Sequence, residues 1–290
     1  MKKAIIAITF IFILTFAGCS NTEHSQLVAT TLPVYEFTTI LCENTDISVA
    51  RLVTENVSCL HDYTLQVSQM RMLESAESVI ISGAGLEDFL EDALHGASHI
   101  IDASCAVAPI EHHDDHDHSH DGHHHTSDPH IWLSPENAAT MCKTICDELS
   151  VLFPEHCSTF ASNLSGLIRR LNQLQTYGED ALQELSCRDL VTFHDGFSYF
   201  AESFGLHILE AVEEESGSEA SAKELIALIQ LVNDHHLPAI FTETNGSTSA
   251  AEVIAAETGI PVFSLDMAMA GDSYFEAMYH NINTVKEAMG

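Results

Sequence analysis

A chain of 290 residues, 46% hydrophobic and 18% charged, has enough apolar material for one large domain or two modest ones. Its 43 acidic against 10 basic residues leave a formal charge of -33. That excludes nucleic acid as a partner, because binding a polyphosphate needs a basic footprint to displace counterions, and it suits a protein that attracts cations.

The chain opens with a positive Met1-Lys2-Lys3 and an apolar run over residues 4–16, a processing signal too short to span a bilayer comfortably. It ends at Phe16-Ala17-Gly18-Cys19, which resembles a bacterial lipobox with Phe16 where such boxes usually carry Leu. Residues 1–18 are therefore expected to be a lipoprotein signal peptide. Cys19 would be the lipidated first residue of an exported chain, held on the outer face of the cell membrane or on its periplasmic side in a two-membrane cell. Residues 20–26 read as a polar tether. Seven cysteines follow, Cys42, Cys59, Cys105, Cys142, Cys146, Cys157 and Cys187. An odd number leaves at least one thiol unpaired within the chain, and spacing does not settle the pairing. Cys142 and Cys146, one helical turn apart, read as apolar helix-face residues, and no CxxC pair supports a structural zinc site.

Short β-branched runs then alternate with helical periods. Strands are expected at 27–31, 47–53, 78–82 and 99–102. The intervening helices are expected over 33–42, over 64–75 with Leu65, Met70 and Leu73 inward, and over 86–94. Ser134-Pro135-Glu136-Asn137 is an N-cap with Pro at the first helical position, opening a helix to about residue 151. Residues 155–185 carry one unbroken helical pattern, longer than a small lobe is wide. The alternation then resumes, with strands at 190–193, 207–209, 239–242 and 262–265. Its helices are expected at 196–204, 221–235 (Leu225, Ile226, Leu228 and Ile229 among its apolar residues), 247–258 and 273–289. Strands alternating with helices imply parallel sheets and right-handed crossovers. The expected fold is α/β, in two lobes that are each a parallel four-stranded sheet flanked by helices, joined by a long rigid linking helix. The N-terminal lobe spans 19–153, the linking helix 154–186 and the C-terminal lobe 187–290. The acidic loop around Glu213–Glu215, Gly217 and Ser218 reads as solvated.

Between residues 111 and 127 the composition changes. Eight of the 19 histidines, His112, His113, His116, His118, His120, His123, His124 and His125, alternate there with Asp114, Asp115, Asp117 and Asp121. Such a run has nothing apolar to bury and reads as a mobile auxiliary metal loop. Ligands of parallel α/β sheets bind beyond the carboxyl ends of the strands. Four metal-capable residues fall there: His61 after the second strand, His130 after the fourth strand and its loop, His194 after the fifth and Asp266 after the last. Three imidazoles and a carboxylate make a tetrahedral Zn(II) set. Glu243, also at a strand end, is a reserve ligand or a structural anchor. Asp62 and Asp195 follow ligand histidines and read either as groups that orient them or as strand-end carboxylates with no part in the site. His207, His235, His236 and His280 have no evident partners and read as structural or exposed.

The segments His61-Asp62-Tyr63, Asp128-Pro129-His130-Ile131-Trp132-Leu133, Phe193-His194-Asp195-Gly196-Phe197 and Gly271-Asp272-Ser273-Tyr274, with the His-rich loop before the second, resemble the motifs of one family. These are the metal-binding solute-binding lipoproteins of ABC importers in the zinc and manganese cluster, most like its zinc branch. The resemblance covers essentially the whole mature chain. It implies two lobes bridged by a rigid helix with Zn(II) in the cleft, delivered to a membrane permease and its ATPase, and a monomer with no nucleic acid partner. The chain departs from the family near His61, where Ser58-Cys59-Leu60 replaces a Pro-rich context. In some relatives a residue beside that histidine completes the site. Leu60 cannot, which leaves Asp266, Glu243 or water as the fourth ligand. Manganese members generally carry a carboxylate where His194 stands, which sets a manganese-binding homologue apart as an alternative. A surface zinc buffer or adhesin is another alternative. A zinc hydrolase would want a positioned general base, and neither HExxH nor GxSxG occurs, so the chain is not expected to be an enzyme.

Overall fold

The computed structural model describes residues 25–56, 60, 63–110, 128–212 and 220–290. The signal sequence with Cys19, the candidate ligand His61 with Asp62, Cys59, the His-rich loop and the acidic loop 213–218 lie outside the described residues.

The first sheet contains β1 (Leu27–Ala29), β2 (Val49–Arg51), β3 (Ser78–Ile81) and β4 (Ile100–Asp102), all parallel in the order β2-β1-β3-β4. The second contains β5 (Asp189–Thr192), β6 (His207–Ala211), β7 (Ile240–Glu243) and β8 (Val262–Leu265) in the corresponding order β6-β5-β7-β8. Helices α1 (Leu32–Leu41), α2 (Val67–Ser75), α3 (Glu91–Leu94) and α4 (Pro135–Leu152) accompany the first sheet. The second carries α6 (Ser198–Phe204), α7 (Ala222–His235), α8 (Ser249–Thr258) and α9 (Tyr274–Met289). Between them runs α5 (Cys157–Ala181), 25 residues and about 37 Å long. The expected α/β architecture of two lobes and a linking helix is what the chain adopts.

The strand period of two explains how each sheet is covered. Leu27, Ala29, Ile80 and Ile101 face a central core that also takes Leu190, Ala239 and Phe241 from the second sheet, while Val28 and Val79, or Val191 and Ile240, turn to separate outer clusters. That central core runs through α1, α4, α5 and α9, so the spine is packed into both lobes along its buried stripe of Phe160, Leu167, Leu171 and Leu174. Hydrogen bonds add to the join. Trp132 Nε1 donates to the Met267 carbonyl at 2.8 Å, Tyr274 Oη to the Trp132 carbonyl at 2.8 Å, and Arg51 Nη1 to the Gly271 carbonyl at 2.7 Å. Glu36 of α1 accepts the Tyr274 N–H at 2.6 Å, placing a carboxylate at the N-terminus of α9 in the other lobe.

The Ser134 cap holds as read: its Oγ accepts the Asn137 N–H at 3.3 Å. Details of three helices add to the sequence reading or depart from it. Met70 is 40% exposed, and the buried place on α2 belongs to Gln69, whose amide donates to the Leu52 carbonyl and to Tyr63 Oη. Of the apolar residues on α7, Leu228 and Val232 are buried and Ile226 is 58% exposed. The helix expected over 86–94 is a 3₁₀ turn at Asp88–Leu90 followed by the single turn α3. Among the described residues Cys42, Cys105, Cys142, Cys146, Cys157 and Cys187 form no disulfide. Cys142 and Cys146 are buried in the core, where desolvation holds both thiols above their ordinary range.

One buried acid links the first lobe's stability to pH. Glu87 Oε1 accepts from Thr30 Oγ1 (2.6 Å) and the Ser82 N–H (2.7 Å), and Oε2 accepts from the Gly83 N–H (2.9 Å). Desolvation outweighs these three donors and, with the nearby Asp102 carboxylate, pushes its pKa from 4.5 to about 7. Because the folded-state value is raised, Glu87's contribution is complete below about pH 4.5 and is lost as pH rises through about 7. Urea unfolding should therefore show Glu87→Ala costing more at about pH 5 than at about pH 8.5, by up to ~3 kcal/mol. An equal cost at both would contradict the shift.

Candidate metal centre

Each lobe has a switch point, between β1 and β3 in the first and between β5 and β7 in the second, where adjacent strands feed crossovers of opposite direction and leave a crevice. In the second lobe Thr192 pairs with Phe241. Two residues further along each parallel strand stand His194 and Glu243, carried to the same level at the sheet's carboxyl edge. Both side chains are buried, with His194 Nδ1 3.8 Å from Glu243 Oε2.

From the first lobe comes His130. Asp128-Pro129-His130 forms a tight turn in which Asp128 Oδ1 accepts the His130 backbone N–H at 2.9 Å, the usual use of Asp before a Pro-led turn. The same oxygen accepts the ring Nδ1–H at 2.8 Å. Since a carboxylate only accepts, the proton sits on Nδ1 and the Nε2 lone pair is exposed on the far side of the ring. The 3₁₀ turn Ile131–Leu133 then buries Trp132 edge-on to the imidazole, with centroids 5.4 Å apart.

The two rings meet across the lobes. His130 Nε2 and His194 Nε2 are 3.5 Å apart, ring centroids 5.1 Å, planes at 82°. The His130 lone pair is thus aimed at the Nε2 of His194, whose own Nδ1 lies on the side of Glu243, and with both Nε2 atoms deprotonated the gap between the rings suits a cation. A tetrahedral zinc at its ordinary bond length to imidazole would hold two nitrogens about 3.3 Å apart. The pair fits such an ion with little adjustment.

Gly196 is what lets the rings come so close. A Cβ there would lie 2.7 Å from His130 Nδ1, 2.8 Å from His194 Cδ2 and 2.7 Å from Met267 Cε. The glycine two residues after His194 was legible in the sequence, but its role was not.

Of the expected ligands, the structure brings His130 and His194 together, and His61 lies outside the described residues. Asp266 follows β8 as expected, pinned by Asn281 through its own N–H and carbonyl, and its Oδ1 accepts the Ala268 N–H at 2.7 Å. With Glu243, Asn56 and Met267 it lines a cavity of about 180 Å³. Among the described residues no third His, Cys, Asp or Glu joins the two histidines closely enough to hold an ion with them. Three histidines read as unpartnered have partners after all. His207 and His235 both face Asp189, at 3.3 and 3.8 Å, because His207 pairs with Asp189 across β5 and β6, while His280 Nε2 donates to the Ser264 carbonyl at 3.2 Å.

Residues 27–288 match the family described as ZnuA, zinc-uptake complex component A, periplasmic. A protein of Treponema pallidum (strain Nichols) named as metal-binding is 28% identical over 290 residues, covering 93% of this chain and 92% of its own length. The zinc-binding lipoprotein AdcA of Streptococcus pneumoniae (strain ATCC BAA-255 / R6) is 27% identical over 307 residues. That match takes in 99% of this chain but 61% of AdcA, so the chain spans about three fifths of that relative. Among solved structures, a crystal structure of ZnuA superposes with a TM-score of 0.82 at 29% identity, over 92% of this chain and all of the other.

Proposed function

The chain belongs to the ZnuA family of periplasmic zinc-uptake components, and we propose that it is the extracytoplasmic Zn(II)-binding component of an ABC-type importer. The observation that carries this is the pair of opposed Nε2 atoms, 3.5 Å apart and contributed by different lobes. Zinc is the cargo, bound by His130 and His194, with His61 from the first lobe and Asp266 from the second completing the set. It is delivered to the permease, whose ATPase drives import. The protein works as a monomer and a carrier, exported and held at the membrane by a lipid on Cys19. The His-rich loop, residues 112–125, gathers zinc in several weak, fast sites apart from the cleft. Three imidazoles favour zinc over manganese, a harder ion that prefers oxygen donors.

Competition titration of a chain lacking residues 112–125 tests this. It should keep one tight zinc equivalent, with total bound zinc reduced, and should hold manganese weakly. His194→Glu should narrow the gap by weakening zinc more than manganese. Loss of the tight equivalent on deletion would make the protein a loop-based zinc buffer. A cleft holding manganese as tightly as zinc would make it a manganese carrier.

A further inference from the structure

We infer that Glu243 is a positioning residue for His194, holding the imidazole as the Nδ1–H tautomer so that Nε2 is available to the ion, and is not itself a ligand. The inference rests on reading His130 and His194 as zinc ligands.

The argument begins with the direction of the ring. The two nitrogens of an imidazole point to opposite sides, and His194 Nε2 faces His130 while Nδ1 faces Glu243 Oε2 at 3.8 Å. An ion bound to both Nε2 atoms therefore lies on the side of His194 away from that oxygen. The second carboxylate oxygen lies against the turn that follows β7. A Cβ at Gly246 would stand 2.7 Å from Glu243 Oε1 and 2.4 Å from its Cγ, so the turn lies directly against the side chain, and the Gly246 N–H donates to the Glu243 carbonyl at 3.1 Å. A bulkier residue at 246 would push Glu243 off His194.

Asp128 provides the comparison. It is buried, it accepts from His130 Nδ1 at 2.8 Å, and it belongs to the other lobe. Each of the two opposed imidazoles thus has one buried carboxylate behind it, Asp128 from a loop turn and Glu243 from a strand end. Such a partner fixes the tautomer and ring angle and raises the basicity of the coordinating nitrogen, and its loss typically costs tenfold to a hundredfold in metal affinity. The Glu243 contact is longer than a hydrogen bond, and a shift of about 1 Å closes it.

The test uses the full chain lacking residues 112–125, with ¹⁵N-labelled histidine, first without metal. Long-range ¹H–¹⁵N spectra should show His194 as the Nδ1–H tautomer, and Glu243→Ala should shift it toward a mixture while His130 keeps its tautomer. Zinc affinity in Glu243→Ala should fall tenfold to a hundredfold at unchanged stoichiometry. The visible spectrum of the Co(II)-loaded variant should keep the coordination number of the parent. Glu243→Gln retains an acceptor and should recover most of the affinity, which also serves if the alanine variant fails to fold. An Nε2–H tautomer in the parent, or zinc affinity of both variants within twofold of the parent, would overturn the inference. A changed Co(II) coordination number would overturn it in favour of Glu243 as a ligand. A parent chain with no tight zinc at all would instead overturn the reading of the histidines, and the metal-free spectra would still report on the Glu243–His194 pair.

Discussion

His130→Ala should lower zinc affinity by on the order of a hundred- to a thousandfold. Structural zinc sites with four ligands bind with roughly 10–16 kcal/mol, so one ligand accounts for about 3 to 4 kcal/mol of that. The site has no ready substitute, because His130 is buried and no third described donor joins the pair. The fold should tolerate the change. Asp128 Oδ1 keeps its bond from the backbone N–H of residue 130, and Trp132 keeps its bond to Met267, so the turn that delivers the ligand remains. Competition titration on the loop-deleted chain measures the loss, with thermal unfolding as the check on folding. His207→Ala is the matched control, since His207 opens β6 at the opposite end of the sheet from the cleft, and it should leave affinity unchanged. A loss of less than tenfold at position 130 would remove that histidine from the site.

Gly196→Ala should cost roughly tenfold to a hundredfold in zinc affinity while adding only one methyl group. The new Cβ would stand under 3.0 Å from atoms of His130, His194 and Met267, which come from three segments and two lobes. Something has to give by several tenths of an ångström, and metal sites lose affinity when donors move by about 0.5 Å. The glycine is not required for its backbone, as its φ is not among the positive ones. The effect is therefore one of volume, and Gly196→Val should be worse. Overpacking of this kind also costs about 1–3 kcal/mol of stability, so thermal unfolding measured beside the titration separates a displaced site from a weakened fold. A variant that bound zinc as tightly as the parent would show that the rings have room to spare.

Much of the scaffold was legible because it depends on local periods. Strands of alternating or continuous β-branched residues, the Ser134-Pro135 cap and the long apolar stripe of α5 follow from chain geometry alone. What was not legible depends on neighbours distant in sequence. Met70 looked inward by spacing, but Leu52 and Tyr63 offer an acceptor for the amide of Gln69, and the helix turns that residue in. The apolar residues of α7 were legible as a set, but which of them are covered was not: Leu228 and Val232 are buried and Ile226 is 58% exposed. The site divides in the same way. His130, His194, Asp266 and Glu243 were picked out by their place beyond strand ends, a property of each segment. That His194 faces His130 with one nitrogen and Glu243 with the other depends on the register between β5 and β7, which no single segment encodes. Gly196 was invisible for the same reason, since its use is defined by atoms 66 residues away.

The bonds that join the lobes also set an order of assembly. Arg51 waits for Gly271, Glu36 for the amide of Tyr274 and Trp132 for the carbonyl of Met267, partners separated by 220, 238 and 135 residues. A chain made from its N-terminus can complete the first sheet, with α1 and α4 on it, long before those partners exist. His130 is present by then and His194 follows once β5 is made, yet the segment that backs them, from β8 to the start of α9, is among the last to be synthesised. A nascent chain therefore carries the two imidazoles without the wall that sets them in place. The finished cleft belongs to a chain made at least as far as α9, and truncation before β8 takes away that wall while leaving His130 and His194 in the sequence.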